Sequence, residues 1–449
     1  MKSRNPAIPG ILIALTLTSV CSLAQTPMAF SLKQAQEYAY EHNYQLKNSR
    51  YDVDIARKLV LQNTSIGLPQ LNASLTYMDN FLRPTSIVPN FFDTTGQAPP
   101  WEIQFGTRYN ATFSAQLTQL IYSGQYLVGL QTARAYLETE KQKNVLAQVD
   151  VRDLVSEAYI AYLITDESLK ILDSTFRTVS QMVSEAQEFY KNGLMEQLDV
   201  EQLDLNKATL EANLITTRNQ KVIAYNFLKF LMGVADNQTI VLTDTLEYFL
   251  QQINRNYLMN SPFDYRYNVH YLLLKKQERM VWLQYKLAKT AYQPSLAGFF
   301  NFSTNAQRQD WDFFDTKERW FSSSSWGVAL SIPIWSSGNR KYAVDQAALN
   351  VDKMKVLDEQ TRTSLQLQVE TLRNAFNKCY LVFLNKRNSL QTASKIYEQT
   401  IIKYRQGLAS STDLNQKYNQ FLVSEADYTQ AMFDLLRSDI ALTKLLEKF

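Results

Sequence analysis

Tyr190-Lys191-Asn192-Gly193-Leu194, with Asp199 close behind, returns as Tyr404-Arg405-Gln406-Gly407-Leu408, with Asp413 close behind. The copies lie 214 residues apart, and the offset holds through Gln202/Gln416, Glu211-Ala212/Glu425-Ala426, Leu228/Leu442 and Leu231/Leu445. Upstream, Leu117-Thr118-Gln119-Leu120-Ile121-Tyr122-Ser123 parallels Leu330-Ser331-Ile332-Pro333-Ile334-Trp335-Ser336, and Gly124 parallels Gly338. Earlier still, Leu68-Pro69-Gln70-Leu71 resembles Gln293-Pro294-Ser295-Leu296. A repeat this long implies duplication of a whole architectural half rather than a short solenoid unit. The chain divides into a first repeat over 25–234, a connecting segment over 235–264 without legible periodicity, and a second repeat over 265–449.

Each glycine of the repeated pentapeptide ends a long uninterrupted stretch. No glycine or proline occurs from Leu130 to Asn192 or from Asn339 to Gln406, which are 63 and 68 residues. As helices these would reach about 95–100 Å at 1.5 Å per residue. Leu169, Leu172, Phe176, Val179, Val183, Ala186 and Tyr190 step alternately by three and four, a coiled-coil seam. Gly193 and Gly407 then suit a helix C-terminus, because glycine adopts the left-handed conformation cheaply. Returning helices are expected over Leu198–Leu231 and Thr412–Leu445, and a preceding one over roughly Leu32–Thr64.

The rest of each repeat alternates with a period of two. Leu71 to Tyr77 and Tyr109 to Thr118 place apolar side chains on one face and hydroxyls or amides on the other; Leu296, Gly298, Phe300, Phe302 and Trp326, Val328, Leu330, Ile332 repeat the pattern. Such strands fit a half-buried soluble sheet or an outer-membrane barrel. Aromatic residues around the two hairpin loops favour the barrel, as girdle material: Phe81, Phe91, Phe92, Trp101 and Phe105 in one, Trp311, Phe313, Phe314, Trp320 and Phe321 in the other. Four strands cannot close a membrane barrel, whose smallest members have eight, and open edges fail in hydrocarbon for want of hydrogen-bond partners. Two chains would give eight strands around a filled lumen and three would give twelve, so a conducting pore prefers the trimer.

Composition excludes other classes. The chain has 12 glycines, where average usage would give roughly 30, and only two histidines and two cysteines among 449 residues, with net charge +3. His42 and His270 are isolated, so no cluster for a transition metal is legible and no metal site is expected. No dinucleotide, Walker-type, nucleophile-elbow or zincin pattern occurs, and the near-neutral charge argues against nucleic acid. Lys2 and Arg4 precede an apolar run from Ile8 to Val20, and Ser22-Leu23-Ala24 supplies small cleavage residues, which reads as a signal peptide over 1–24. Val20 is a poor fit to lipid processing at Cys21. Cys379 is then the only mature cysteine, which leaves no intrachain disulfide. No later apolar run approaches the ~18–20 residues of a spanning helix.

The signal peptide, the duplicated helix–strand–strand–long-helix halves, Leu68-Pro69-Gln70-Leu71 leading into a strand and Ile332-Pro333-Ile334 leading out of one together resemble the TolC family of outer-membrane efflux proteins. So does the tip, where aromatic-basic-x-Gly-hydrophobic is followed by Asp six residues after the glycine. The resemblance covers essentially the whole mature chain. It implies a mixed α and β membrane protein: a homotrimer whose 12-stranded outer-membrane β-barrel, four strands per chain, continues into a 12-helix periplasmic α-helical barrel. It implies location in a Gram-negative outer membrane, contact with its lipid, and docking onto a periplasmic adaptor (membrane fusion) protein. That adaptor would connect to an inner-membrane pump of the resistance-nodulation-division, ABC or major-facilitator type. The resemblance further implies that the pump supplies the energy and that this chain, without cofactor, is a passive exit for small toxic compounds.

Functional residues are expected only at the tip. Asp199 and Asp413 begin the returning helices; repeated by three-fold symmetry they form acidic rings that select ions, or they simply cap their helices. Tyr190 and Tyr404 join that gate or end the helical seam. Gly193-Leu194 and Gly407-Leu408 are adaptor-contact tips or plain reversals, and Lys191 and Arg405 pair with an adaptor or stay solvated. Family members hold the aperture shut with an arginine two residues past the second glycine and a second aspartate; here Ala409 and Gln416 stand there, which suggests a gate held by hydrogen bonds and packing. Type I protein secretion would use the same tube. A trimeric coiled-coil stalk or adhesin with a soluble strand head is the reading from a different class. No catalytic constellation is visible around acids such as Glu196 and Glu201.

Overall fold

The computed structural model describes residues 28–89 and 100–447; the leader at 1–24 with Cys21, and Phe91 and Phe92, lie outside the described residues. The first repeat opens with β1 (Met28–Phe30), α1 (Leu32–His42) and α2 (Tyr44–Ser65). The single helix expected over Leu32–Thr64 is therefore two. Asn43, at φ −59° and ψ 134°, leaves the helical region, its Oδ1 accepts from the Gln45 and Leu46 amides, and its Nδ2 donates 2.6 Å to the Leu231 carbonyl. Asparagine offers the backbone this alternative to a continuous helix.

The chain then forms β2 (Gln70–Asp79), a hairpin of β3 (Thr85–Val88) and β4 (Trp101–Gln104), and β5 (Tyr109–Ser123). The 68-residue α3 (Gly124–Lys191) follows, capped by Ser123, and α4 (Gln197–Met232) returns beside it. α3 starts six residues earlier than the glycine-free stretch allows; Gly129 sits inside it at the modest cost of glycine in a helix. The connecting segment carries β6 (Ile240–Leu242), which pairs in parallel with β1, and the short helices α5 (Leu246–Gln252) and α6 (Arg255–Asn260). The second repeat runs through α7 (Val269–Thr290), β7 (Ser295–Arg308), β8 (Phe321–Ser331), the 67-residue α8 (Asn339–Arg405) and α9 (Ser411–Leu446). α3 and α8 extend about 100 Å.

The four long strands make one antiparallel sheet in the order β2-β5-β7-β8. Pairing of β5 with β7 joins the two repeats, and β2 and β8 are left as open edges. The register puts Ser74, Ser114, Ser303 and Ser323 on one rung, with hydroxyl contacts of 2.8 Å between the outer pairs. The opposite face carries Leu71, Leu75, Phe113, Phe300, Phe302 and Trp326. Leu71, Leu75 and Trp326 are more than two-thirds exposed, so most of this apolar face finds no cover among the described residues. No helix among the described residues is long and apolar enough to cross a membrane.

The helices bury a string of small clusters rather than one core. Leu172, Val183, Leu210 and Tyr418 belong to the cluster nearest the tips, Tyr159 and Leu228 to a middle one, and Phe376 and Leu435 to a third. Tyr159, fully buried, donates to the Phe30 carbonyl at 2.9 Å and so ties α3 to β1. Gly233 ends α4 in the left-handed conformation.

Two carboxyls in these walls have raised pKa values. Glu425, 4% exposed, accepts from Ser168 Oγ of α3 at 3.1 Å, and burial pushes its pKa up. Asp439 lines a cavity of about 280 Å³ with Ile160, Phe249 and Leu436, and burial raises its pKa to about 6. A carboxyl whose folded pKa lies above its unfolded value keeps its proton longer in the native state, so its contribution falls as pH rises from ~4 through 6. Asp439→Asn is expected to stabilise the fold by about 2–3 kcal/mol at pH 7.5 and by little at pH 4. Denaturant melts at both pH values measure this, and an equal effect at each would overturn it.

Candidate functional site at the helical tips

The two hairpin turns sit side by side. At the first, Asn192 ends α3, Gly193 takes φ +75°, and the Leu194 amide donates back to the Phe189 carbonyl at 2.9 Å. At the second, Gly407 takes φ +73° and the Leu408 amide donates to the Lys403 carbonyl at 2.8 Å. These are left-handed helix ends with the amide reaching back over the last turn. The space around each glycine is open, so its conformation alone requires the residue type. Leu194 and Leu408 are about three-quarters exposed, which gives each chain two apolar points at its extreme end.

Just behind the turns, three contacts tie the hairpins together. Ser411, the buried first residue of α9, donates its hydroxyl to Asp199 in the first turn of α4. The Arg405 guanidinium near the end of α8 meets Glu185 of α3 at 3.2 Å. The Tyr404 hydroxyl reaches Met195 Sδ at 3.7 Å, and burial, followed by the nearby Asp199 charge, raises its pKa to about 12. A hydrogen bond to a charged acceptor is worth ~1.5–3 kcal/mol and an exposed ion pair ~0.2–1 kcal/mol, so the Ser411–Asp199 contact is the stronger of these two links.

Asp413 is placed differently from its repeat-mate. It forms a capping box with Ser410: its amide donates to Ser410 Oγ at 3.1 Å, while its carboxylate accepts from the same hydroxyl at 2.8 Å and from the Ser410 amide at 3.3 Å. That hydrogen bonding holds the Asp413 carboxyl below its usual range. Tyr190 is nearly half exposed and stands outside the buried seam formed by Leu172, Val179, Val183 and Ala186. Lys191 pairs with Glu188 on its own helix at 2.7 Å. Arg405, read from sequence as adaptor-facing or solvated, is instead engaged across the hairpins; its partner lies 220 residues away and no local pattern points to it. Ser411 was likewise invisible, since it resembles any residue at a helix start. Among the described residues no group of three or more His, Cys, Asp and Glu is placed to hold a metal.

A sequence profile of the outer membrane efflux proteins matches residues 36–234 and 282–447. Sequence comparison with curated proteins gives no match. Several solved structures share the fold. The outer membrane protein VceC of Vibrio cholerae is 15% identical with a TM-score of 0.66, over 93% of this chain and 96% of that one. The CmeC outer membrane channel of Campylobacter jejuni is 16% identical with a TM-score of 0.69, over 99% and 94%. The MtrE outer membrane channel of Neisseria gonorrhoeae, solved in its open state, is 14% identical with a TM-score of 0.68, over 92% and 88%. The profile spans both repeats, including the tips and the strands, and the resemblance drawn from the sequence holds: the chain belongs to the outer membrane efflux protein family.

Proposed function

We propose that three copies of this chain close into a 12-stranded barrel in the outer membrane, continued by a periplasmic helical tube. This assembly is a passive exit duct for small toxic compounds. The carrying observation is the four-stranded sheet with two open edges and a largely uncovered apolar face, running directly into α3 and, after seven residues, into α8. Unpaired edges have no place in hydrocarbon, so neighbouring copies must supply the missing strands, and twelve strands leave a lumen that eight do not. The serine and asparagine face then lines the pore. A periplasmic adaptor meets the exposed Leu194 and Leu408 points, and an inner-membrane pump behind it, of the resistance-nodulation-division, ABC or major-facilitator type, drives transport.

In this reading the tip is the gate. Asp199, held by Ser411, and Asp413, held in its capping box, stand as acidic rings around the narrow end, and Tyr404 packs behind them. Adaptor binding breaks the Ser411–Asp199 and Arg405–Glu185 links and lets the hairpins part. Purified in detergent, the protein is expected to run as a trimer and to give small, cation-preferring conductance steps in planar bilayers. A water-soluble oligomer without conductance would overturn the reading.

A further inference from the structure

The aromatic residues between β7 and β8 do not form an even girdle. Phe313 is buried on Ala111 of β5 and Ala306 of β7, and meets Tyr77 of β2 edge-on at 5.8 Å. By register, Tyr77, Ala111 and Ala306 lie on the same face as Phe113, Phe300 and Phe302. The 309–320 loop therefore drapes back over three strands along the apolar outer face. It neither folds into the lumen nor stands straight above the strands. Arg308 fixes the turn: buried itself, it meets Asp312 at 3.1 Å and donates 2.9 Å to the Arg319 carbonyl.

Phe313 is thereby consumed as the loop's own core, but its neighbours are not. Trp311 packs edge-on against Phe313 at 6.3 Å and Phe314 at 5.7 Å, yet remains 59% exposed, and Phe314 is 84% exposed. Both are held outboard of the strands on a platform with a folded base, while Asp310, Asp315, Lys317 and Glu318 supply charge around them. Aromatic rings with this mixed setting favour the boundary between headgroups and acyl chains.

We propose that the 309–320 loop is a lipid-docking shoulder, with Trp311 and Phe314 seated in the outer-leaflet boundary beside the barrel. The argument for lipid over a protein partner is continuity: the loop rests on the same apolar face that meets hydrocarbon. The proposal rests on the outer-membrane reading above, and its test separates the two. In a Cys379→Ser background, spin labels are placed by Phe314→Cys, Lys317→Cys and Phe302→Cys, and the protein is reconstituted in phosphatidylethanolamine–phosphatidylglycerol vesicles. Collision with oxygen, which partitions into lipid, is compared with collision with a water-soluble nickel chelate.

The Phe314→Cys label should favour oxygen severalfold over the Lys317→Cys label and approach the Phe302→Cys label on the strand. Adding Asp312→Ala, which frees the turn at Arg308, should abolish that preference at position 314 and leave position 302 unchanged. If the 314 label favours nickel while the 302 label favours oxygen, the shoulder is wrong and the barrel reading stands. If both favour nickel, the barrel reading falls and takes the shoulder with it. Because Phe314 is exposed, its substitution leaves the loop's base intact.

Discussion

Asp199→Ala is expected to raise single-channel conductance severalfold, and Ser411→Ala to do much the same. The first variant removes the acceptor and the second the donor of one inter-hairpin hydrogen bond, and either leaves the tip held by the exposed Arg405–Glu185 pair and packing around Tyr404. Since a charge-assisted bond is worth ~1.5–3 kcal/mol, its loss shifts the closed–open balance by about one to two powers of ten per hairpin seam. The two variants are expected to differ in selectivity: Ser411→Ala should keep the proposed acidic ring and its cation preference, whereas Asp199→Ala should thin both. Asp413→Ala, which loses only the reciprocal half of Ser410's capping box rather than a link between hairpins, should open the channel less. Planar-bilayer recordings of the three variants decide the matter; equal opening by Asp413→Ala and none by Ser411→Ala would assign the gate to charge alone.

The second large effect is expected far from the tips, where the junction of α1 and α2 meets the end of α4. Gly233 has φ +72°, and a Cβ there would lie 2.4 Å from the His42 carbonyl oxygen and 2.7 Å from its carbon, which are backbone atoms that cannot swing away. Gly233→Ala must bear the left-handed penalty of ~1–2 kcal/mol and also push α1 and α2 off α4, breaking the Asn43–Leu231 bond. A loss above about 3 kcal/mol follows from strain and a broken buried hydrogen bond together. Gly193→Ala and Gly407→Ala make the control, because they share the backbone conformation but have open space around them. These should bear only the left-handed penalty of ~1–2 kcal/mol. Denaturant unfolding of the three variants tests the contrast, and similar losses in all of them would show that conformation, not the close approach of His42, governs Gly233.

The wall elements were legible because their signals are local. The Leu172–Val183 seam, the glycine at each turn and the alternation from Leu71 to Tyr77 are each set by a few neighbouring residues and by the 3.6- and 2-residue periods of the backbone. The break at Asn43 was missed because apolar spacing continues across it, and what favours it is Leu231, a carbonyl 188 residues away. The proposed gate was half legible. Asp199 and Asp413 stand out equally in the repeat, yet one reaches across to Ser411 and the other bonds its own helix start. The contexts differ at the N-cap position: Ser410 allows Asp413 a capping box, whereas Glu196 makes no side-chain cap and leaves Asp199 to Ser411.

The sequence by itself determined the duplication, the long helices, the four strands and the family, since repetition and periodicity are properties of the chain read in order. Only the tertiary structure decided which strand joins the repeats, that Arg405 belongs to Glu185, and that the loop carrying Phe313 turns outward. Each of these depends on groups remote in sequence arriving within a few ångströms, and that proximity is set by the packing of whole elements rather than by any local pattern.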